Sequence, residues 1–480
     1  MDLPKSSIDR VVSVFANLDL GDPRRAKRVT RTVAKLAAHP QATLPGAMGC
    51  EADIEGAYRL MNSGQVSMEA LNQAHAQTTA IRARKTGRVL AIHDTTSCKF
   101  KHADPAVVGY LNTGKPGFMV HYALIVAADG SKRPLGVAHV EALARDKPPA
   151  RRKKGRSSPK RSGGKTVKKK NRESLRWYRG FERASEALDG CDVIHVADRE
   201  GDNYELFARS IDERQLRFVI RARVLERQVE TVDGSKKSLA TSIESCRSVL
   251  ERDVTISTRK AASSPASAAV HPSRTARPAR LNISSTRVTL HRPRHQDPTL
   301  PDSIEVNVVR VFEPKPPAGE DPIEWVLFTT EPVSTPAEVA AVVDIYCARW
   351  LIEECNKALK TGCRYEERQF DTRDALLTLL ALTLPIACEL LWLRAACRAN
   401  PNLPALEVLT PTQLEVLATM GSRKLSKRAT VHDALWAVAA LGGHMTCNGE
   451  PGWLVLHRGM TILLDYERAW AAALNRTPDF

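Results

Sequence analysis

Three acidic residues, Asp94, Asp198 and Glu353, have neighbours that give them chemistry to do. Asp94 follows the apolar run 89–92 and Asp198 follows the run 193–197. Both runs read as short strands, which sets each carboxylate at a strand end. Around Glu353 the residues Tyr346, Arg349, Lys357 and Lys360 recur at steps of three and four, so on one helix all five share a face. One carboxylate would then lie between cations able to hold a polyanion. Glu354 is out of phase with Arg349 and Lys360. Hard carboxylate oxygens suit Mg²⁺ or Mn²⁺, which keep several waters and also bind substrate phosphates. A pair of such ions can activate a water or hydroxyl on one side of a phosphodiester and stabilise the leaving oxygen on the other. The plainer reading of the same residues is turn-capping aspartates and a solvated helix face with ordinary i,i+4 pairs.

The elements that must position these residues can be read along the chain. Thr335, Pro336 and Glu338 form a capping-box pattern with proline at the first helical position, and Gly362 is a natural stop. A single helix is therefore expected to carry Glu353. Upstream, strands are expected at 89–92, 118–127 and 135–140, then a helix at 173–188, a strand at 193–197, a helix at 204–211 and a strand at 216–224. This order matches the connectivity of an RNase H-like mixed sheet in an α/β catalytic domain spanning 67–398. In that sheet strands one and four are neighbours, which would bring Asp94 and Asp198 to one edge, where open α/β sheets bind ligands. Residues 225–320 read as a β insertion, and core strands are expected at 304–311 and 325–329.

The flanks read as helical. Residues 1–66 form an N-terminal unit with a helix from Asp22 to about Ala38, carrying Arg24, Arg25 and Arg28, and a second helix at 51–61. In a chain with 71 basic and 54 acidic residues, net +17, such a helix points to DNA contact. Residues 399–480 contain apolar helical faces at 431–441 and 467–474 suited to partner packing, as in a dimerisation domain. Part of the charge is local: 151–170, within a basic loop at 145–172, holds eleven Lys/Arg and no acid, and removing it leaves +6. That segment is too polar to pack and reads as a loop or phosphate-binding arm. Ten scattered cysteines without a C-x-x-C pair suggest reduced thiols and a cytoplasmic setting, and Asp2, Pro4 and Asp9 interrupt any signal-peptide core. The apolar run 375–393 contains Thr378, Thr383, Pro385 and Glu389, so a buried core helix is expected there, not a membrane span. No Ser/His/Asp hydrolase elbow or phosphate-cradling glycine loop is present, and His195 reads as a packed residue.

The motifs Asp94-Thr95-Thr96, Asp198-Arg199-Glu200-Gly201-Asp202 and Tyr346-x₂-Arg349-x₃-Glu353-x₆-Lys360 resemble the signatures of bacterial DDE transposases. More narrowly, the chain is similar to the IS-four insertion-sequence group, which includes the transposon-five transposase. Leu20 to Arg25, Glu55 to Arg59, Glu324-Trp325 followed by Thr329-x-Glu331-Pro332, and Leu441 to Gly443 fit the same group. The resemblance implies that Asp94, Asp198 and Glu353 bind two Mg²⁺ or Mn²⁺ ions and catalyse hydrolysis, hairpin formation and strand transfer at transposon ends. It implies that Tyr346, Arg349 and Lys360 hold phosphates of the transposon end, that Trp325 stacks on a flipped base, and that Arg221 contacts DNA. Lys357 lies on the same face and joins that set. Its partners would be terminal inverted repeats and target DNA, bound by a homodimer, with no membrane involved. The lysine-rich segment departs from the family pattern. Two other readings share these residues: a transposase-derived DNA-binding protein that no longer cuts, and an RNase H-like nuclease without strand transfer.

Overall fold

Asp22 starts the first long helix as anticipated. Its carboxylate accepts the Arg24 N–H at 2.8 Å and Pro23 takes the first helical position. The computed structural model describes residues 6–146, 173–258, 273–423, 425–426 and 428–475; the basic segment 151–170 and residues 261–272 of the Ser/Ala/Pro-rich stretch lie outside them. The chain divides into two compact units, Met1–Asp192 with Trp350–Phe480, and Val193–Arg349.

The first unit opens with α1 (Ser7–Val12), α2 (Pro23–Ala38), α3 (Leu44–Met48), α4 (Glu51–Met61) and α5 (Met68–Thr86). Val29, Val33, Leu36 and Ala37 form the buried stripe of α2, and its arginines fall outside that stripe. Then come β1 (Arg88–Lys99), α6 (Pro105–Val108), β2 (Gly117–Ala127), β3 (Pro134–Leu143) and α7 (Arg176–Ala187). The three strands are antiparallel in the order β3-β2-β1. Asp94 is not at a strand end: β1 continues through it to Lys99, with Asp94 opposite Tyr122. The extension has a physical basis. β-branched Thr95 and Thr96 suit a strand, and β2 supplies partners as far as Gly117. Gly117 is obligatory there, because its φ is +146° and a Cβ would meet the Cys98 carbonyl oxygen at 2.1 Å.

The second unit runs β4 (Asp192–Ala197), α8 (Tyr204–Asp212), β5 (Arg217–Arg221), β6 (Gln228–Thr231), β7 (Lys236–Ser238), α9 (Leu239–Glu244), β8 (Ser248–Ile256), β9 (Arg277–His291), β10 (Ser303–Phe312), β11 (Glu324–Thr329) and α10 (Pro336–Cys347). It is mixed α/β. β4 and β5 are parallel, and the remaining neighbours, in the order β5-β11-β10-β9-β6-β7 with β8 also on β9, are antiparallel. The segment read as a β insertion pairs closely with its neighbours. Its longest strand, β9, pairs along ten residues with β10 on one edge and with β8 and β6 on the other, so insertion and core share one hydrogen-bonded ladder.

The chain then returns to the first unit as α11 (Trp350–Lys357), α12 (Arg373–Ala399), α13 (Pro411–Met420), α14 (Val431–Leu441) and α15 (Trp453–Asn475). By length and composition α12 could cross a membrane, but 83% of its apolar window is buried in the protein, as in a core helix. The Arg10–Glu389 ion pair at 2.7 Å and the Thr378 hydroxyl on the Val66 carbonyl at 3.3 Å tie the N-terminal helices to it. The single helix expected from Thr335 to Gly362 is broken. Its capping box forms, yet the last turn of α10 tightens as the Ala348 and Arg349 N–H groups bond three residues back. Beyond α11, Ala358–Gly362 winds as a π-helix, closed by the Cys363 N–H on the Ala358 carbonyl at 2.8 Å.

Candidate active site

In the first unit, β1 and α11 bring Asp94 and Glu353 to the same cleft, of about 560 Å³, also lined by Lys99, Asn356, Lys357 and Lys360. Two carboxylates remote in sequence therefore face one solvent-filled space with three lysines. Asp94 is anchored from below. The amide nitrogen of Asn356 donates to Asp94 Oδ2 at 2.8 Å, and the Tyr122 hydroxyl donates to Asn356 Oδ1 at 2.9 Å. Burial of Tyr122, with Cys355 and Asp94 nearby, holds its phenol well above the ordinary range, so it stays a neutral donor. The next motif residue, Thr95, is clamped as well. Arg176 Nε donates to its hydroxyl at 2.9 Å, and the hydroxyl lies 3.0 Å from His121 Nδ1. Burial, with His139 and Arg176 adding to it, keeps His121 neutral.

The two adjacent glutamates separate cleanly. Glu353 lines the cleft. Glu354 is buried on the other side of α11, where it accepts from Trp453 Nε1 at 2.7 Å and pairs with Lys357 at 2.8 Å and Arg394 at 3.3 Å. Lys357 also sits 5.1 Å from the Trp350 ring centroid. Lys360, carried by the π segment, donates to the Ser97 carbonyl at 2.7 Å, which pins its ammonium beside β1. Lys357 and Lys360 thus reach the cleft already engaged with protein groups.

In the second unit Asp198 follows β4 directly, as the sequence indicated, and caps the turn Arg199–Gly201 by accepting the Glu200 N–H at 2.8 Å. Arg349, Arg221 and Asp198 are each near enough to act on Tyr346. Burial raises the Tyr346 phenol, Arg349 and Arg221 pull it down, and Asp198 adds to the rise. Trp325 on β11 is half-buried, its ring centroid 5.9 Å from that of Tyr346. Arg221 also donates to the Glu324 carbonyl at 3.3 Å. Asp202, the last residue of the second motif, is a strut: it accepts the Arg223 N–H at 2.7 Å and pairs with Arg227.

The residues that chain order alone did not single out are Asn356 and Tyr122. A signal existed for the first, an amide one helical turn beyond Glu353, but its strand partner could be found only through register. Carboxylate oxygens facing lysines are a donor set suited to hard cations with bound phosphates. Among the described residues, no group of three or more His, Cys, Asp and Glu side chains is gathered as a metal site.

On α2 the cations divide. Arg31 and Lys35 pair with Asp53 at 2.7 and 2.6 Å, and Arg25 donates to the Leu20 carbonyl at 3.1 Å. Arg24, Lys27 and Arg28 are on the outer face of the helix. Residues 11–66, which contain this helix, match the family model described as "Transposase DNA-binding". The chain is similar at 10% identity and a TM-score of 0.28 to a piggyBac transposase, solved by cryo-EM as a synaptic complex with hairpin DNA. That match covers 82% of this chain and 55% of the other, so the chain spans about half the length of that relative. The N-terminal match supports a transposase.

Proposed function

We propose that this protein is a cut-and-paste DNA transposase with an RNase H-like catalytic core, in which Asp94, Asp198 and Glu353 carry the chemistry. The observation that supports this most is the shared cleft of Asp94 and Glu353, flanked by Lys357 and Lys360, in a chain whose N-terminal segment matches transposase DNA-binding domains. The three carboxylates would hold Mg²⁺ or Mn²⁺, which when bound supply Lewis acidity and a lowered water pKa for in-line phosphodiester chemistry.

The protein's own residues position DNA around that centre. Arg24 and Arg28 on the outer face of α2 meet backbone phosphates of the transposon end, a sequence-independent attraction that base contacts refine. Lys357, Lys360, Arg349 and Tyr346 hold phosphates beside the scissile bond. The half-buried Trp325 ring, steadied by Tyr346, offers a face on which an extruded base stacks. Water attack frees a 3′-hydroxyl at each end, that hydroxyl closes a hairpin on the opposite strand, a second water reopens it, and the 3′ ends join target DNA.

Replacing Glu353 by alanine is expected to leave end binding within about twofold, because its carboxylate makes no favourable contact with phosphate, and to lower cleavage by several orders of magnitude. End cleavage in Mg²⁺ at the wild-type rate would overturn the assignment. Cut ends without joined products would leave a nuclease in its place.

A further inference from the structure

The bond between Asn356 and Asp94 joins the two halves of the cleft, and the proposed mechanism makes no use of it. An asparagine amide has one accepting and one donating end, so its orientation decides what it can do for a carboxylate. Here the orientation is forced. The Tyr122 hydroxyl, fully buried, donates to Asn356 Oδ1 at 2.9 Å. Turning the amide over would set its carbonyl oxygen against Asp94 Oδ2, 2.8 Å away, with two acceptors in contact. Tyr122 also stands directly opposite Asp94 across the β1–β2 ladder, so strand register fixes both ends of the relay. Asn356 itself is 7% exposed and lies one turn after Glu353 on α11. One helix thus presents a carboxylate to the cleft and, from the same side, clamps the carboxylate of the neighbouring strand.

We propose that Asn356, oriented by Tyr122, is a positioning residue that holds the Asp94 carboxylate in the rotamer that receives a divalent cation. This rests on the assignment of Asp94 to the catalytic carboxylates. The donated N–H binds one oxygen of Asp94 and fixes the plane of the group. It also offsets the repulsion between two carboxylates that face one cleft before any cation arrives. Outer-shell partners of this kind change metal affinity by about 10–100-fold when removed.

The test uses the full chain and Mn²⁺ alone as the probe, with binding followed by electron paramagnetic resonance. End-DNA affinity in metal-free buffer and the Mg²⁺ dependence of cleavage are measured beside it. Asn356→Ala is expected to weaken Mn²⁺ binding about 10–100-fold, to leave metal-free DNA affinity unchanged, and to recover cleavage at saturating Mg²⁺. Tyr122→Phe is expected to act in the same direction with a smaller loss, and to add nothing in the Asn356→Ala background, because it works through the amide. Asn356→Leu, which keeps the side-chain volume, carries the same expectation should the alanine variant lose structure. Wild-type Mn²⁺ affinity in a folded Asn356 variant, or additive effects of the two substitutions, would overturn the proposal. Asp94→Ala separates the levels. If it abolishes Mn²⁺ binding while Asn356→Ala does not weaken it, only the positioning role fails. If Asp94→Ala leaves binding and cleavage intact, the reading of the site fails as a whole.

Discussion

Glu353 and Glu354 are neighbours with opposite surroundings, and the contrast shows how a single residue's role is set. Glu354 is 4% exposed at its side chain and is met by Trp453, Lys357 and Arg394. Burial pushes its carboxyl up, and Lys357, Arg394 and the Trp453 N–H more than offset this, leaving it below the ordinary value. Removing it would leave Arg394, which is 11% exposed, with only the longer contact to Glu450 at 3.7 Å, and would leave the buried Trp453 N–H without its acceptor. Glu354→Ala is therefore expected to cost about 3–5 kcal/mol in urea unfolding, and Glu354→Gln less, since it can still accept from Trp453. Because the folded pKa is depressed, this stabilisation is present above the unfolded carboxylate pKa and is lost as pH falls through the folded value. Helical phase alone separates the two glutamates. The tryptophan that holds Glu354 lies 99 positions away and is found only in the fold.

At the scale of elements, the π segment and α2 make the clearest claims. Gly362 closes the π turn against α15: a Cβ there would meet His457 Nε2 at 2.0 Å, and His457 is buried. Gly362→Ala is expected to destabilise by about 1–3 kcal/mol through overpacking and to lower cleavage further, since Lys360 rides on the same turn. Pairing it with His457→Ala should restore much of the stability in thermal unfolding. On α2 only some cations are available to DNA. Arg24→Ala with Arg28→Ala should weaken end binding and reduce the slope of log K against log salt by about 0.9 for each phosphate that is no longer neutralised. Arg31→Ala should move that slope less, because Arg31 is already paired with the Asp53 carboxylate. The start of α2 and the capping box of α10 were legible in sequence because a cap is an interaction over three residues. The break after α10 and the π turn were not, since packing against a distant helix shapes them.

Across the whole molecule, buried histidines couple the fold to pH. Burial lowers His195 and His457 to about 3, and burial together with Arg82 does the same for His75. An unfolded histidine titrates near pH ~6.5, so each of these groups favours the folded state fully above that pH. Each then loses about 1.4 kcal/mol per unit as pH falls toward its folded value. Urea midpoints should therefore drop steeply between about pH 6.5 and about pH 5, before most carboxylates titrate. His457→Leu should flatten that profile by about one proton's worth, seen as a shallower slope of unfolding free energy against pH. Sequence indicated that His195 is packed. Its place in the fully enclosed interior of β4 is what makes the packing costly to protonate.

The amino-acid sequence by itself determined the types of most strands and helices, the caps of α2 and α10, the mixed α/β character and the identity of the acidic residues at issue. All of these depend on residue chemistry and on spacings of a few positions, which survive in one dimension. Only the tertiary structure decided that β1 runs past Asp94, that the insertion joins its neighbours in one ladder, which α2 cations are taken up by Asp53, and that Asn356 grips Asp94. Those outcomes depend on register, burial and competition among partners from distant parts of the chain, and such terms do not exist until the chain has folded.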